Sequence, residues 1–141
     1  MSDTYDDLDD DSDVGNNDAA EISEPDALVY GSVDEFVREN LSVKYRRVMG
    51  PSNRAPRRWS AEWWKSAEVG SRLEALWRSW ERLRLDGATG SSTWWRDHLV
   101  HHMPILMSPD GPFADSEDQN KPDEPLPYRA PPAGLFPDVR K

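Results

Sequence analysis

The residues most able to do chemistry are six cations in one short stretch. From Leu41 to Ala61 the chain carries Lys44, Arg46, Arg47, Arg54, Arg57 and Arg58, with no acid among twenty-one residues. Clustered guanidinium and ammonium groups bind phosphates, and a run of this density suits a nucleic-acid backbone or another polyanion. Cations near a helix C-terminus also complement its dipole, so Lys44, Arg46 and Arg47 have a structural use as well. Indole rings are the second chemical resource. All seven tryptophans lie between Trp59 and Trp95, including the adjacent pairs Trp63-Trp64 and Trp94-Trp95. Neighbours on a helix point about 100° apart, so both members of a pair cannot face one narrow core. Trp64 and Trp94 are therefore candidates to anchor a partner or stack on a base, or else to pack beneath the Pro-rich C-terminal segment. His98 and His102 stand one helical turn apart, as in some metal sites, yet no HExxH, cysteine or third ligand accompanies them. No nucleophile, base and orienting group assemble in the sequence, and no Gly-rich phosphate loop follows a strand. A non-enzyme without metal or other cofactor is the expectation.

Those side chains need elements to hold them. Ser32-Val33-Asp34-Glu35 has the form of a capping box, and Val33, Phe36, Val37, Leu41, Tyr45 and Val48 make one apolar stripe. A first helix over about Val33 to Met49 is predicted, ending with Gly50 in the left-handed position. Pro51 to Arg58 is a connection. Ser60 can cap the helical segment that follows, and a break near Ser66 divides it into a short helix, Trp59 to Lys65, and a longer one, about Ala67 to Leu85. Leu73, Leu76, Trp77, Trp80 and Leu83 form the core face of the long helix, with Glu68–Arg72 and Glu74–Arg78 as outward ion pairs. After the Gly87 to Gly90 turn, Ser92 or Thr93 caps a third helix whose core face is Trp95, Leu99, His102, Met103 and Leu106. Pro104 is expected to kink or interrupt it. Ser108 to Gly111 has turn chemistry, and Phe113 folds back onto the core.

Charge divides the chain in the same places. Met1 to Ala27 holds eleven acids and no Lys or Arg, Leu28 to Phe113 holds thirteen bases and ten acids, and Ala114 to Lys141 holds four bases and six acids. The net charge of −10 thus belongs mainly to an acidic arm, which has too little to bury and is expected to stay disordered. Beyond Phe113, six prolines in twenty-eight residues favour extended polyproline segments, while Leu126, Tyr128, Leu135 and Phe136 are apolar enough for part of it to dock. The absence of cysteine excludes a disulfide scaffold, and no apolar run approaches the roughly 18 residues of a membrane span. The expected architecture is all-α: a small Trp-rich bundle of three to four helices over 28–113, a disordered acidic arm over 1–27 and a Pro-rich, partly docked extension over 114–141. Such a body is expected in the cytoplasm, without a membrane partner.

Arg58-Trp59, Glu62-Trp63-Trp64, Glu68, Arg72-Leu73, Leu76-Trp77, Trp80-Glu81, Trp95, Asp97-His98 and Gly111-Pro112-Phe113 occur in an order that resembles the actinobacterial and actinophage family called domain of unknown function 4913. The resemblance covers about Tyr30 to Phe113 and extends toward Pro131 to Phe136. It implies origin in an actinobacterium, its phage or a mobile element, and no established activity. Relatives often carry Cys where Ser60 stands, His near Ser66 and Cys shortly after Phe113, which with His98 could form a metal site; this chain has none of those thiols.

Three functions follow as expectations. The first is an accessory protein of mobile DNA whose Lys44 to Arg58 segment binds nucleic acid with little sequence preference. The acidic arm would modulate it, since 27 flexible residues span on the order of 30 Å, well beyond the roughly 12 Å radius of gyration of the body. The second is a protein-interaction module using Trp64, Trp94 and the Pro-rich segment, with the arm as solubiliser or DNA mimic. The third is a degenerate metal-site protein.

Overall fold

The computed structural model describes residues 28–50 and 56–140, so the acidic arm and Arg54 lie outside the described residues. Two units are distinguished. In the one formed by Met1–Val29 with Arg140, the Arg140 guanidinium donates to the Val29 carbonyl at 2.6 Å. The other, Tyr30–Val139 with Lys141, is the helical body. It contains three helices, with no strand among the described residues. No helix among them is long and apolar enough to cross a membrane.

Helix α1 (residues 33–44) runs as α-helical Val33–Phe36, π-helical Val37–Leu41 and α-helical Ser42–Lys44. Ser32 caps it by accepting the Glu35 amide at 3.0 Å. The Glu35 carboxylate reaches back one residue further than in a capping box, to the Gly31 amide at 2.8 Å. The helix ends at Lys44, five residues before the expected Met49, where Tyr45 turns to φ −101° and ψ 75°. Tertiary hydrogen bonds compete there with continued helix. The Leu126 amide donates to the Ser42 carbonyl at 3.0 Å, and the buried Asn120 side chain accepts the Met49 amide at 3.1 Å while donating to the Arg47 carbonyl at 3.0 Å. Met49 rather than Val48 is consequently the buried member of that run. Gly50 has φ +103°, as a left-handed residue should, but in the loop beyond the helix instead of at its C-terminus, with Gln119 against its α-carbon.

Ser60 accepts the Glu62 amide at 3.1 Å, and in place of the short helix Trp59 to Lys65 there is one 3₁₀ turn, Trp63–Lys65. The break at Ser66 is present, and Ser66 rather than Ser60 caps the long helix by accepting the Val69 amide at 3.3 Å. Helix α2 is Ala67–Leu83, burying Val69, Leu73, Leu76 and Trp77, with Glu68–Arg72 and Glu74–Arg78 paired at 3.1 and 3.2 Å on its outside. Trp80 and Leu83 are only partly buried.

Helix α3 (residues 90–106) begins at Gly90, before the expected Ser92 or Thr93 cap. Gly90 packs closely there, leaving no room for a β-carbon beside the Leu83 carbonyl oxygen. Upstream, Asp86 accepts the Ala88 and Thr89 amides and the Thr89 hydroxyl, which together hold its carboxyl below the usual range. From Trp94 to Leu99 the helix is π-helical. Hydrogen bonds reaching five residues put Trp94 and Leu99 on one face. Trp94 is therefore the buried member of its pair at 2% exposure, and Trp95, expected in the core, is half-buried against Tyr45 at 6.2 Å between ring centres. His102 is likewise only half-buried. The helix continues through Pro104, whose ring is exposed, rather than breaking there.

Trp59, Trp63, Trp77 and Trp94 are buried, each removing about 150–250 Å² from water, roughly 4–6 kcal/mol of gross hydrophobic gain per ring. Phe113 tilts against Trp59 at 4.8 Å. The extension docks extensively: Leu126 is 2% exposed, the Ser116 hydroxyl donates to the Trp59 carbonyl at 2.6 Å, and Phe136 stacks on Trp63 at 5.2 Å.

Candidate nucleic-acid interface

The end of α1 and the chain after it position the basic residues. Arg46 donates through Nε to the Val43 carbonyl at 2.7 Å, satisfying a carbonyl of the last helical turn. Its Nη1 reaches the Asp123 carbonyl at 2.6 Å and stands 3.8 Å from the Asp123 carboxylate. The Arg47 guanidinium lies over the Tyr45 ring at 4.0 Å and donates to the Arg46 carbonyl at 2.8 Å. Across the loop, the Gly50 amide donates to the Arg57 carbonyl at 3.3 Å and Arg57 Nη1 donates to the Val48 carbonyl at 3.1 Å. Arg58 donates to the Arg57 carbonyl at 3.0 Å, while its own amide is held by the Met107 carbonyl at 2.9 Å.

The Gly50–Arg57 and Val48–Arg57 hydrogen bonds thus join the chain carrying Arg57 and Arg58 to that carrying Arg46 and Arg47, making a basic strip of the two segments. Lys44 is exposed but separate, its ammonium 5.7 Å from the Trp80 ring centre. The contacts described for Arg47 and Arg57 are to carbonyls and a ring, so their positive charge is oriented rather than neutralised. Sequence reasoning missed Asp123, the acid facing this strip, and Asn120, which fixes the backbone of Arg47 from 73 residues away. Only the polar character of residues 115–124 could have signalled them.

The aromatic candidates separate. Trp64 is half-buried, its ring edge-on to Trp63 at 6.1 Å. Trp94 offers no surface to a partner, because it lies inside the body with its indole N–H directed to the Leu76 carbonyl at 3.1 Å and the Ser79 hydroxyl at 3.2 Å. The tryptophan contacts described with the Pro-rich segment are those of Trp59, which donates to the Pro127 carbonyl at 3.2 Å, and of Trp63, on which Phe136 stacks.

The histidines do not form a ligand pair. Arg72 Nη1 meets His102 Nδ1 at 3.0 Å, and arginine can only donate, so that nitrogen is an occupied acceptor. Burial first, then the Arg72 charge, pushes the His102 pKa down. Ser60, Ser66 and Ser116 line one cleft of about 390 Å³. Ser60 and Ser66 accept backbone amides and Ser116 donates to a carbonyl, so these hydroxyls do not fit a structural zinc site of thiolates and imidazoles. Among the described residues, no three His, Asp or Glu side chains are grouped as a metal ion would need.

No curated protein and no solved structure matches the chain. A family match covers residues 30–133, most of the helical body and the docked part of its extension. The chain belongs to the family described as domain of unknown function (DUF4913).

Proposed function

We propose that this protein is a non-enzymatic, cytoplasmic nucleic-acid-binding accessory of an actinobacterial mobile element or phage. Its interface is the strip of Arg46, Arg47, Arg57 and Arg58, with Lys44 and Arg54 of the same basic run as further phosphate contacts. One observation carries the reading: the Gly50–Arg57 closure joins two chain segments that carry four arginines, and each of these guanidinium groups donates to a backbone carbonyl. Phosphates are the matching ligand rather than bases, because the third helix, with Trp94-Trp95-Arg96-Asp97 near its start, offers few side chains able to read base edges. Binding is weakly sequence-specific. The eleven acids of Met1 to Ala27 repel a polyanion and lower its affinity.

Fluorescence anisotropy of the full chain with a mixed-sequence DNA duplex across a salt series tests this. Replacing Arg54, Arg57 and Arg58 by Gln weakens binding and reduces the salt slope by about one unit for each phosphate no longer neutralised. Deleting Met1 to Ala27 tightens it. No affinity at low salt, with or without the acidic segment, refutes the proposal.

A further inference from the structure

The C-terminal extension consists of two parts with different attachment. Up to Arg129 it is built into the body. Leu126 is buried, the Tyr128 hydroxyl donates to Asp34 at 2.6 Å, and Trp59 donates to the Pro127 carbonyl. Arg129 closes this part, pairing with Glu62 at 3.1 Å while its amide donates to the Ala61 carbonyl at 3.2 Å. Across residues 130–139, by contrast, no residue is buried, and Leu135 and Val139 are about half exposed. The contacts described between this part and the body are the Phe136 ring stacked on Trp63, the Val139 amide donating to the Gly31 carbonyl at 2.8 Å, and Asp138 lying against Gly31. Segments with few buried groups open at low free-energy cost.

Beneath this strap lies Trp63, 0% exposed, whose indole N–H has no hydrogen-bond partner among the described residues. Trp59, one helical turn earlier in sequence, has the partner that Trp63 lacks, a carbonyl of the proline-rich chain. The strap is bent where it crosses: Gly134 sits at φ +82°, and the Leu135 amide donates back to the Pro132 carbonyl at 3.2 Å, a tight turn. The Pro132 carbonyl is taken up by that turn, and no described carbonyl of the strap accepts the Trp63 N–H.

We propose that the Trp63 face is a docking site for an extended, proline-rich segment of a partner protein, and that residues 130–139 are a resident strap which such a segment displaces. An extended polyproline chain has no internal hydrogen bonds, so its carbonyls point outward and one of them satisfies the Trp63 N–H, as Pro127 does for Trp59. An aromatic or large apolar side chain following the prolines takes the place of Phe136 on the indole. The site and its ligand are independent of the basic strip, and peptide affinity is a readout that nucleic-acid binding does not move.

The test uses the full chain and two synthetic peptides followed by calorimetry. One is the strap sequence Ala-Pro-Pro-Ala-Gly-Leu-Phe-Pro. In the other, proline replaces the glycine, so that the turn cannot form. Phe136→Ala releases the strap, and Val139→Pro releases it separately by removing the amide that binds Gly31. Either variant binds the extended peptide at least about tenfold tighter than the wild type, because a larger fraction of molecules is open. The extended peptide binds tighter than the glycine peptide. Adding Trp63→Phe to either variant, which keeps a ring but removes the N–H, weakens binding at least about fivefold. Equal affinity of wild type and both released variants, no binding to any of them at millimolar peptide, or no effect of Trp63→Phe would each overturn the proposal. So would a concentration-dependent wild-type dimer that ignores both peptides, which would assign the site to exchange of straps between two copies.

Discussion

Asn120→Ala probes whether the C-terminal extension is part of the cooperative body. Asn120 is 9% exposed; its Oδ1 accepts the Met49 amide at 3.1 Å and its Nδ2 donates to the Arg47, Pro125 and Glu124 carbonyls at 3.0, 3.2 and 3.4 Å. Met49 is fully buried, so truncation removes the Asn120 acceptor from a buried N–H, at about 1–3 kcal/mol. The three carbonyls belong to less buried residues and recover water, so their loss amounts to about 1 kcal/mol in total. The expected destabilisation is about 2–4 kcal/mol. With a urea m-value of about 1.5 kcal/mol/M, that lowers the unfolding midpoint by roughly 1–3 M. Asn120→Asp is no milder, because it keeps the acceptor for Met49 but turns a negative charge toward the carbonyls. A midpoint shift corresponding to under about 0.5 kcal/mol at unchanged m would refute the reasoning. It would mean that the extension unfolds without consequence for the helices.

Two glycines of α2 and α3 respond in opposite directions. Gly90→Ala places a β-carbon on the Leu83 carbonyl and costs about 3 kcal/mol or more, whereas Gly70→Ala, in the first turn of α2, meets nothing within 4 Å and stabilises by about 0.5–1 kcal/mol. Thermal melts distinguish them, and equal shifts would show that the Gly90 approach is not tight. His102 contributes a pH dependence. Its folded pKa is depressed, so the native state binds fewer protons than the unfolded chain. The stability it confers is full above the ordinary imidazole value near 6.5 and is lost as pH falls through the lowered folded value. The wild type therefore loses more melting temperature between pH 7.5 and 5.5 than His102→Gln, whose side-chain oxygen accepts from Arg72 at both pH values. Identical losses would remove His102 from the account.

What sequence alone revealed was local. Ser32 caps a helix because it needs only an amide three residues ahead, and the Glu68–Arg72 and Glu74–Arg78 pairs need only one turn of helix. The core face of α2 followed from its spacing for the same reason. The exchange of roles between Trp94 and Trp95 was not legible, because a helical wheel assumes one uniform period and the π-helical turn supplies another. Equally hidden was the end of α1 at Lys44. The stripe continues to Val48, and only hydrogen bonds from Asn120 and Leu126, over 70 residues away, draw the backbone out of the helix. The basic residues were visible as a run, but their division into an oriented strip and a separate Lys44 depends on loop closure.

The extension links the fold to the proposed interface. A body ending at Phe113 would leave Trp59 without its carbonyl partner and Leu126 without a place, and at 86 residues it would bury only about 60–65% of its unfolded surface. Docking residues 114–129 completes the core. The same residues hold the basic strip: Asp123 fixes the Arg46 guanidinium, and Asn120 fixes the Arg47 carbonyl, one residue after the carbonyl to which the Arg47 side chain donates. The geometry of those cations is therefore a property of the docked extension as much as of α1. Asn120→Ala disturbs the strip without changing its charge, whereas Arg57→Gln removes a charge and leaves the core intact. In the salt series the first change lowers affinity with little change of slope, and the second lowers the slope, because counterion release follows the number of phosphates neutralised.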